Sequence, residues 1–227
     1  MSSPDERELR DAVVTRLREL LPSARIVHEL NCAGQGTNRI DVAAITESAI
    51  VGVEIKSKKD VLKRLDDQWK AFSKCCHYLI VAAHEKHFAP YREACWRDDV
   101  PPYIDLNHPL FFGKYTKRRH VWRFPRPDPD ANHRQIWTFD LRDISEKYPL
   151  RSSDMLEMLW ANELQAECAR YKISAGSRAT RGFMIQEMSL LMTGREVRDA
   201  VCRQLRGRTF AEADPAIRPV RMQEAML

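Results

Sequence analysis

Hydrophobic and polar residues alternate along the first 84 positions with two different periods, one typical of helices and the other of strands. Apolar residues recur every three or four positions in residues 4–21, which predicts an amphipathic helix that ends at Pro22. Residues 25–30, 39–46 and 49–56 are short apolar or alternating runs separated by turn residues, which predicts three strands. Because so few residues separate the last two runs, we expect those strands to pair antiparallel.

The next segment also changes from helical spacing to a run of strand length. Residues 58–76 have helical spacing with Asp60 as a candidate N-cap, and residues 78–83 form a continuous apolar run of strand length. We therefore expect the order helix, three strands, helix, strand. This order predicts an α/β (α+β) fold with helices layered against a sheet.

The rest of the chain divides into a proline-rich part and a helical part. Residues 90–129 are rich in proline and aromatic side chains and have weak periodicity, and residues 135–141 are a candidate strand. Helices are expected at 154–171, with Ser152 or Ser153 as the cap, and near 182–192 and 195–205. The predicted domains are residues 1–148, a helical module at 149–206 and a loosely packed tail at 207–227.

Composition narrows the class of protein. A hydrophobic share of 44% and a charged share of 30% argue against collagen-like, disordered and membrane-spanning chains. No export signal opens the chain, and the six cysteines form no CxxC pair, so we expect a cytoplasmic protein with reduced thiols and no membrane contact. The net charge of +5 suits a polyanionic partner without requiring one.

Three charged side chains on the predicted hairpin have the spacing of a hydrolytic site. Glu54 and Lys56 lie two apart on one strand and therefore project from one face, and Asp41 on the neighbouring strand can face them. Two carboxylates in a half-buried place repel each other unless a cation neutralises them, and carboxylate oxygens suit Mg²⁺ or Mn²⁺. An ammonium beside them can position a water molecule near a phosphate. The alternative is a surface salt bridge on an edge strand.

The predicted order of elements and two short motifs resemble the PD-(D/E)xK nuclease superfamily. The motifs are Ile40-Asp41 and Glu54-Ile55-Lys56, and Ile40 stands where many members have proline. The resemblance covers residues 5–84 and implies a restriction-endonuclease-like core of mixed sheet flanked by helices, here followed by the helical module. It also implies that Asp41, Glu54 and the Ile55 carbonyl bind the metal and that Lys56 orients the water.

Two further candidates rest on the same resemblance. Glu8, on the first helix, lies where several members carry an acid that supports the metal site; the alternative is a solvated helix charge. Gln68 begins a Q-x-x-x-aromatic pattern similar to that of the exonuclease-like, RecB-type branch, in which the glutamine meets the active site. Residues 56–67 also resemble bacterial and phage members of the superfamily.

Cations follow the site in two groups that suit phosphate contacts. The first group comprises Lys58, Lys59, Lys63 and Arg64, for which the alternative is a charged helix face balanced by acids. Residues 110–127 hold six cations and five aromatic residues without an acid, which suits contact with phosphates and unpaired bases. Their alternative is a hairpin with solvated cations; the candidates there are Lys114, Lys117, Arg118, Arg119 and Arg123.

The function that these features favour is a Mg²⁺- or Mn²⁺-dependent deoxyribonuclease in bacterial or phage DNA repair, processing or defence. His84 and His87 lack zincin spacing, and without a Walker or GxGxxG motif no nucleotide cofactor is expected. Two alternatives remain: a DNA-binding or partner-recruiting module without strong catalysis, and a nuclease directed at RNA. DNA is the expected partner, and a homodimer or a repair or defence protein stays open.

Overall fold

A five-stranded mixed sheet with helices packed on both faces forms the described part of the protein. The computed structural model describes residues 4–32, 38–87, 121–124, 150–176 and 178–217. The strands are β1 (Arg25–Asn31), β2 (Arg39–Ile45), β3 (Ile50–Lys56), β4 (Tyr78–His84) and β5 (Val121–Phe124). The helices are α1 (Pro4–Leu20), α2 (Leu65–Phe72), α3 (Ser152–Leu156), α4 (Ala161–Arg170), α5 (Arg181–Leu191) and α6 (Gly194–Gly207), with a short 3-10 turn at Glu85–His87.

The strands lie in chain order across the sheet. β1, β2 and β3 form an antiparallel meander, and β4 then pairs parallel to β3 after the crossover through α2. β5 adds a parallel edge beside β4. The α/β fold class, the element order up to residue 84 and the antiparallel pairing of β2 with β3 are confirmed.

Two hydrophobic cores lie on opposite faces of the sheet. On one face, α1 buries the stripe formed by Leu9, Val13 and Leu17. On the other face, α2 and the C-terminal helices share a single core with the sheet. The C-terminal helices are thus a layer over the sheet, while the domain boundary predicted near residue 148 lies outside the described residues.

Two predicted helices are shorter than their periodicity indicates. The helix expected at 58–76 begins only at Leu65, because the Asp60 carboxylate accepts hydrogen bonds from the Ser57 backbone N and Oγ, both at 2.7 Å, and closes a turn. The helix expected at 154–171 is divided into α3 and α4. The Trp160 backbone N donates to Glu163 Oε2 at 2.8 Å, which starts a new helix at that point.

Part of the predicted tail, residues 208–217, contacts β1 and the end of α6. Arg25, at the start of β1, donates to the carbonyl oxygens of Leu205, Arg206 and Arg208 at 2.6–2.9 Å. Ala213 then forms an antiparallel bridge with Val27. Residues 218–227 and the candidate strand at 135–141 lie outside the described residues. Within the described ranges, no helix is long and apolar enough to cross a membrane.

Candidate active site

The strands β2 and β3 separate at one end, and the predicted site residues lie at this separation. Their pairing stops at Val42 opposite Val53, whereas β3 stays paired with β4 as far as Lys56. Beyond the last pair, the Asp41 carboxylate takes the place of a backbone acceptor: its Oδ2 accepts from the Ile55 N–H at 2.7 Å. The separation therefore holds an acidic side chain between two strands of the sheet.

Glu54, Lys56 and Gln68 meet beside Asp41 and are almost completely buried, with exposures of 4%, 5% and 9%. The Lys56 Nζ donates to Glu54 Oε1 at 2.7 Å and to Gln68 Oε1 at 2.8 Å. The first contact joins side chains two apart on β3, and the second joins β3 to α2. The structure thus brings together four of the side chains that the sequence singles out.

Burial disfavours the charged forms of both carboxylates, and the charge of Glu54 adds to this effect at Asp41. Removal from water, followed by the charge of Glu54, raises the pKa of Asp41 to about 8, against the opposing effects of the Ile55 N–H and Arg10. Burial also raises the pKa of Glu54, although the Lys56 ammonium opposes this shift. Moreover, Glu54 Oε2 is buried and has no hydrogen-bond donor among the described residues. Each of the two carboxyl groups is therefore harder to ionise than a carboxyl group in water.

Arg10 is a member of the site that the sequence analysis missed. Its Nη1 donates to the Asp41 carbonyl oxygen at 3.0 Å, and its Nη2 lies 3.1 Å from Glu6 Oε1 and 3.4 Å from Glu29 Oε1. The Asp41 carboxylate lies 4.0 Å from Nη2. Arg10 occupies a core-facing position one turn before Val13, and an arginine in an apolar stripe is the signal that would have identified it.

Glu8 lies apart from this cluster. Its side chain is exposed on α1, and no hydrogen bond or ion pair between described residues joins it to Asp41, Glu54 or Lys56. The acid of α1 that reaches the network is instead Glu6, one turn before Arg10. The difference arises because a helix turns by about 100° per residue, so Glu6 and Glu8 point in different directions.

The turn after Lys56 is firmly held and carries exposed cations. His87 Nε2 lies 2.8 Å from the Ser57 carbonyl oxygen, which ties the turn to the end of β4. His87 itself is buried, so its ring is part of the packing between the turn and the end of β4. The exposed cations between Lys56 and α2 are Lys58, Lys59, Lys63 and Arg64.

The second group of predicted cations is described only in part. Arg123, on β5, is half-buried and lies 3.8 Å from Glu85 Oε2. The other four, Lys114, Lys117, Arg118 and Arg119, lie outside the described residues. Their predicted contact with nucleic acid stays a prediction.

No group of three or more His, Cys, Asp or Glu side chains suited to a metal occurs in the described ranges. A site built from Asp41, Glu54 and a backbone carbonyl has only two such side chains. The predicted ligand set therefore has fewer side chains than such a group. Its support is the chemistry of the two carboxylates.

Comparison with known proteins places the chain in a phage family. Neither the curated proteins nor the solved structures include a match. The family model of bacteriophage P4 protein cII matches residues 2–135, more than half of the chain, and this range contains all five strands and the cluster around Asp41. The match agrees with the phage setting expected from the sequence. The chain belongs to the bacteriophage P4 protein cII family.

Proposed function

We propose that this protein is a metal-dependent nuclease that hydrolyses DNA phosphodiester bonds. The observation that carries the proposal is the buried cluster of Asp41, Glu54, Lys56 and Gln68 at the separation of β2 and β3. Its likeness to the PD-(D/E)xK nucleases in residue types and in the order of elements supports the same reading. Phage DNA repair, processing or defence is the proposed setting.

The charge of the site fits a divalent cation. Four carboxylates face two cations, Arg10 and Lys56, which leaves an excess of two negative charges when all the groups are ionised. The four carboxylates are those of Glu6, Glu29, Asp41 and Glu54. Mg²⁺ or Mn²⁺ would supply the missing positive charge, and the buried Glu54 Oε2 is an oxygen that could bind it.

The residues that would hold the cation are Asp41, Glu54 and the Ile55 carbonyl. When bound, the cation would polarise the phosphate and lower the pKa of a water molecule. Asp41 is already oriented for this role by the Ile55 N–H. Glu54 is oriented by its contact with Lys56.

Lys56 and Gln68 would orient the attacking water. The Lys56 ammonium has three donors, of which two contact Glu54 and Gln68, so that one donor is available to a water or a phosphate oxygen. Gln68 keeps the ammonium over the carboxylates from the side of α2. The exposed cations of the turn that follows would bind the DNA backbone approaching the site.

A DNA-binding module without strong catalysis is the second candidate. The 2.7 Å ion pair between Lys56 and Glu54 supports it, because the two charges neutralise each other without a metal. The raised pKa of Asp41 opposes it, since a module selected only for binding has no need of a second buried acid. Substrate choice between DNA and RNA is part of the test.

The test is a cleavage assay on linear, circular and single-stranded DNA and on RNA, with Mg²⁺, Mn²⁺ or EDTA. Glu54→Gln and Lys56→Met remove one charge each at nearly constant volume, and Lys74→Gln, an exposed residue, is the matched control. We expect metal-dependent cleavage that is lost in both site variants and kept in the control. DNA binding without cleavage under every condition would favour the binding module, and cleavage unchanged in both site variants would refute the assigned site.

A further inference from the structure

We propose that Arg10 is a positioning residue for the active site, and that it works by clamping Asp41 of β2 to Glu29 of β1. The proposal rests on the proposed function, because it assigns a positioning role in the nuclease site to a residue that so far entered only through its charge. Arg10 would not touch the substrate. Its effect would be to fix the position of the Asp41 carboxylate before the cation binds.

The Arg10 side chain is only 11% exposed; its two terminal nitrogens have acceptors, whereas its Nε has none among the described residues. A buried guanidinium is costly unless anions and carbonyl oxygens surround it. Here it donates to the Asp41 carbonyl and to the carboxylates of Glu6 and Glu29. One side chain of α1 thus connects β1 and β2 beside the separation of β2 from β3.

The backbone of Glu29, one of the two residues that Arg10 connects, has an unusual conformation. Glu29 has a φ of 52°, in the left-handed region that glutamate rarely occupies. The register places it directly opposite Asp41, because His28 faces Val42 and Leu30 faces Ile40. Such conformations persist when the surroundings enforce them, and they concentrate at functional sites. The Arg10–Glu29 contact at 3.4 Å supplies such a constraint.

Asp41 is therefore fixed from two sides. The Ile55 N–H holds its carboxylate on the β3 side, and Arg10 holds its carbonyl oxygen. Because pairing between β2 and β3 ends at Val42, no backbone ladder between these two strands fixes Asp41. Without Arg10, the Asp41 carboxylate could move relative to Glu54, which would weaken their joint hold on a cation.

Arg10→Lys is the decisive variant because it keeps the positive charge and removes the planar guanidinium with its two terminal nitrogens. A lysine ammonium at this position cannot contact the Asp41 carbonyl, Glu6 and Glu29 with the geometry of a planar guanidinium. Since the net charge is unchanged, a change in metal affinity reports the position of the ligands and not the electrostatic potential. Arg7→Lys, on the exposed surface of the same helix, is the matched control.

The measurements are the Mn²⁺ dissociation constant by isothermal titration calorimetry on the full chain, the electron paramagnetic resonance spectrum of bound Mn²⁺, and kcat and KM for DNA. For Arg10→Lys we expect a dissociation constant at least fivefold higher, a changed spectrum and an unchanged KM for DNA. Arg7→Lys should match the wild type in all of these.

The outcomes separate the two proposals. Wild-type protein that neither binds Mn²⁺ nor cleaves nucleic acid would refute the proposed function. Wild-type protein that does both, with Arg10→Lys equal to Arg7→Lys, would refute only the role of Arg10. If Arg10→Lys fails to fold, Glu29→Asp takes its place, because it keeps the charge and shortens the reach to Arg10; an unchanged dissociation constant there would refute the clamp.

Discussion

Replacing Asp41 with asparagine removes the repulsion in the site while preserving its shape. Asparagine has nearly the same volume, and its Oδ1 can still accept the hydrogen bond from the Ile55 N–H. The substitution removes the Asp41 carboxyl group, whose pKa is raised to about 8 by burial and by the charge of Glu54. In the absence of metal, we therefore expect Asp41→Asn to stabilise the protein at neutral and alkaline pH.

The direction and size of the effect follow from the pKa of Asp41. The folded protein holds the Asp41 proton up to about pH 8, whereas the unfolded chain releases it near pH 4, so ionisation costs stability as pH rises between these values. The full cost at pH 7 is about 4 kcal/mol. Since 23% of the Asp41 side chain remains exposed, we expect about 2–4 kcal/mol. The wild type and Asp41→Asn should be equally stable near pH 4 and diverge above it.

The assay is urea unfolding between pH 4.5 and 8 in EDTA, followed by tryptophan fluorescence, and repeated with Mn²⁺. The cation should stabilise the wild type at pH 8 and leave Asp41→Asn nearly unchanged, because binding stabilises only the form that holds the ligand. Asp11→Asn, an exposed acid on α1, is the control. If Asp41→Asn is no more stable than the wild type at pH 8 in EDTA, the argument from buried repulsion is wrong.

Three further predictions concern packing, a buried ion pair and the exposed cations. A Cβ at Gly52 would lie 2.7 Å from Cys76 Sγ, so Gly52→Ala should lower the free energy of unfolding by about 1–3 kcal/mol, and Cys76→Ala should recover part of this stability in a double-mutant cycle. Glu163→Ala leaves the buried guanidinium of Arg208 without a carboxylate partner and should cost about 3–5 kcal/mol in urea unfolding; a cost below about 1 kcal/mol would contradict this. Replacing three of the turn cations, Lys58, Lys59 and Lys63, with glutamine should weaken DNA binding and lower the salt slope by about 1 for each phosphate that is no longer neutralised, with Lys74→Gln as the control. An unchanged slope would mean that they are only solvated.

The fold up to residue 84 could be predicted because its elements follow local rules. Strand runs bounded by turn residues and one apolar helical stripe determine the order from α1 to β4. The start of α2 could not be predicted, because Asp60 bonds back to Ser57 in preference to capping a helix. Periodicity also continues through residues 157–160, so the break before α4 is visible only from the contact between Trp160 and Glu163.

The residues of the candidate site on β3 could be predicted from the sequence, whereas Arg10 on α1 could not. Glu54 and Lys56 belong to a motif on one strand, and their common face follows from the two-residue period. Arg10 joins the site through tertiary packing of α1 over the sheet, which has no signature in a short motif. The exposure of Glu8 has the same cause, because the helix rotation that buries Leu9 and Arg10 turns Glu8 away.

The packing of the C-terminal residues against β1 bears on the strained position of Glu29. A separated hairpin with two buried acids and a left-handed glutamate is unfavourable by itself, so the surrounding structure must hold it in place. At the start of β1, Arg25 satisfies the last carbonyl oxygens of α6, which have no partner within the helix. A few residues further on, the His28 N–H donates to the Glu212 carbonyl oxygen at 3.0 Å. β1 is therefore fixed along its outer edge up to the residue before Glu29, which allows α1 and Arg10 to determine the geometry opposite Asp41.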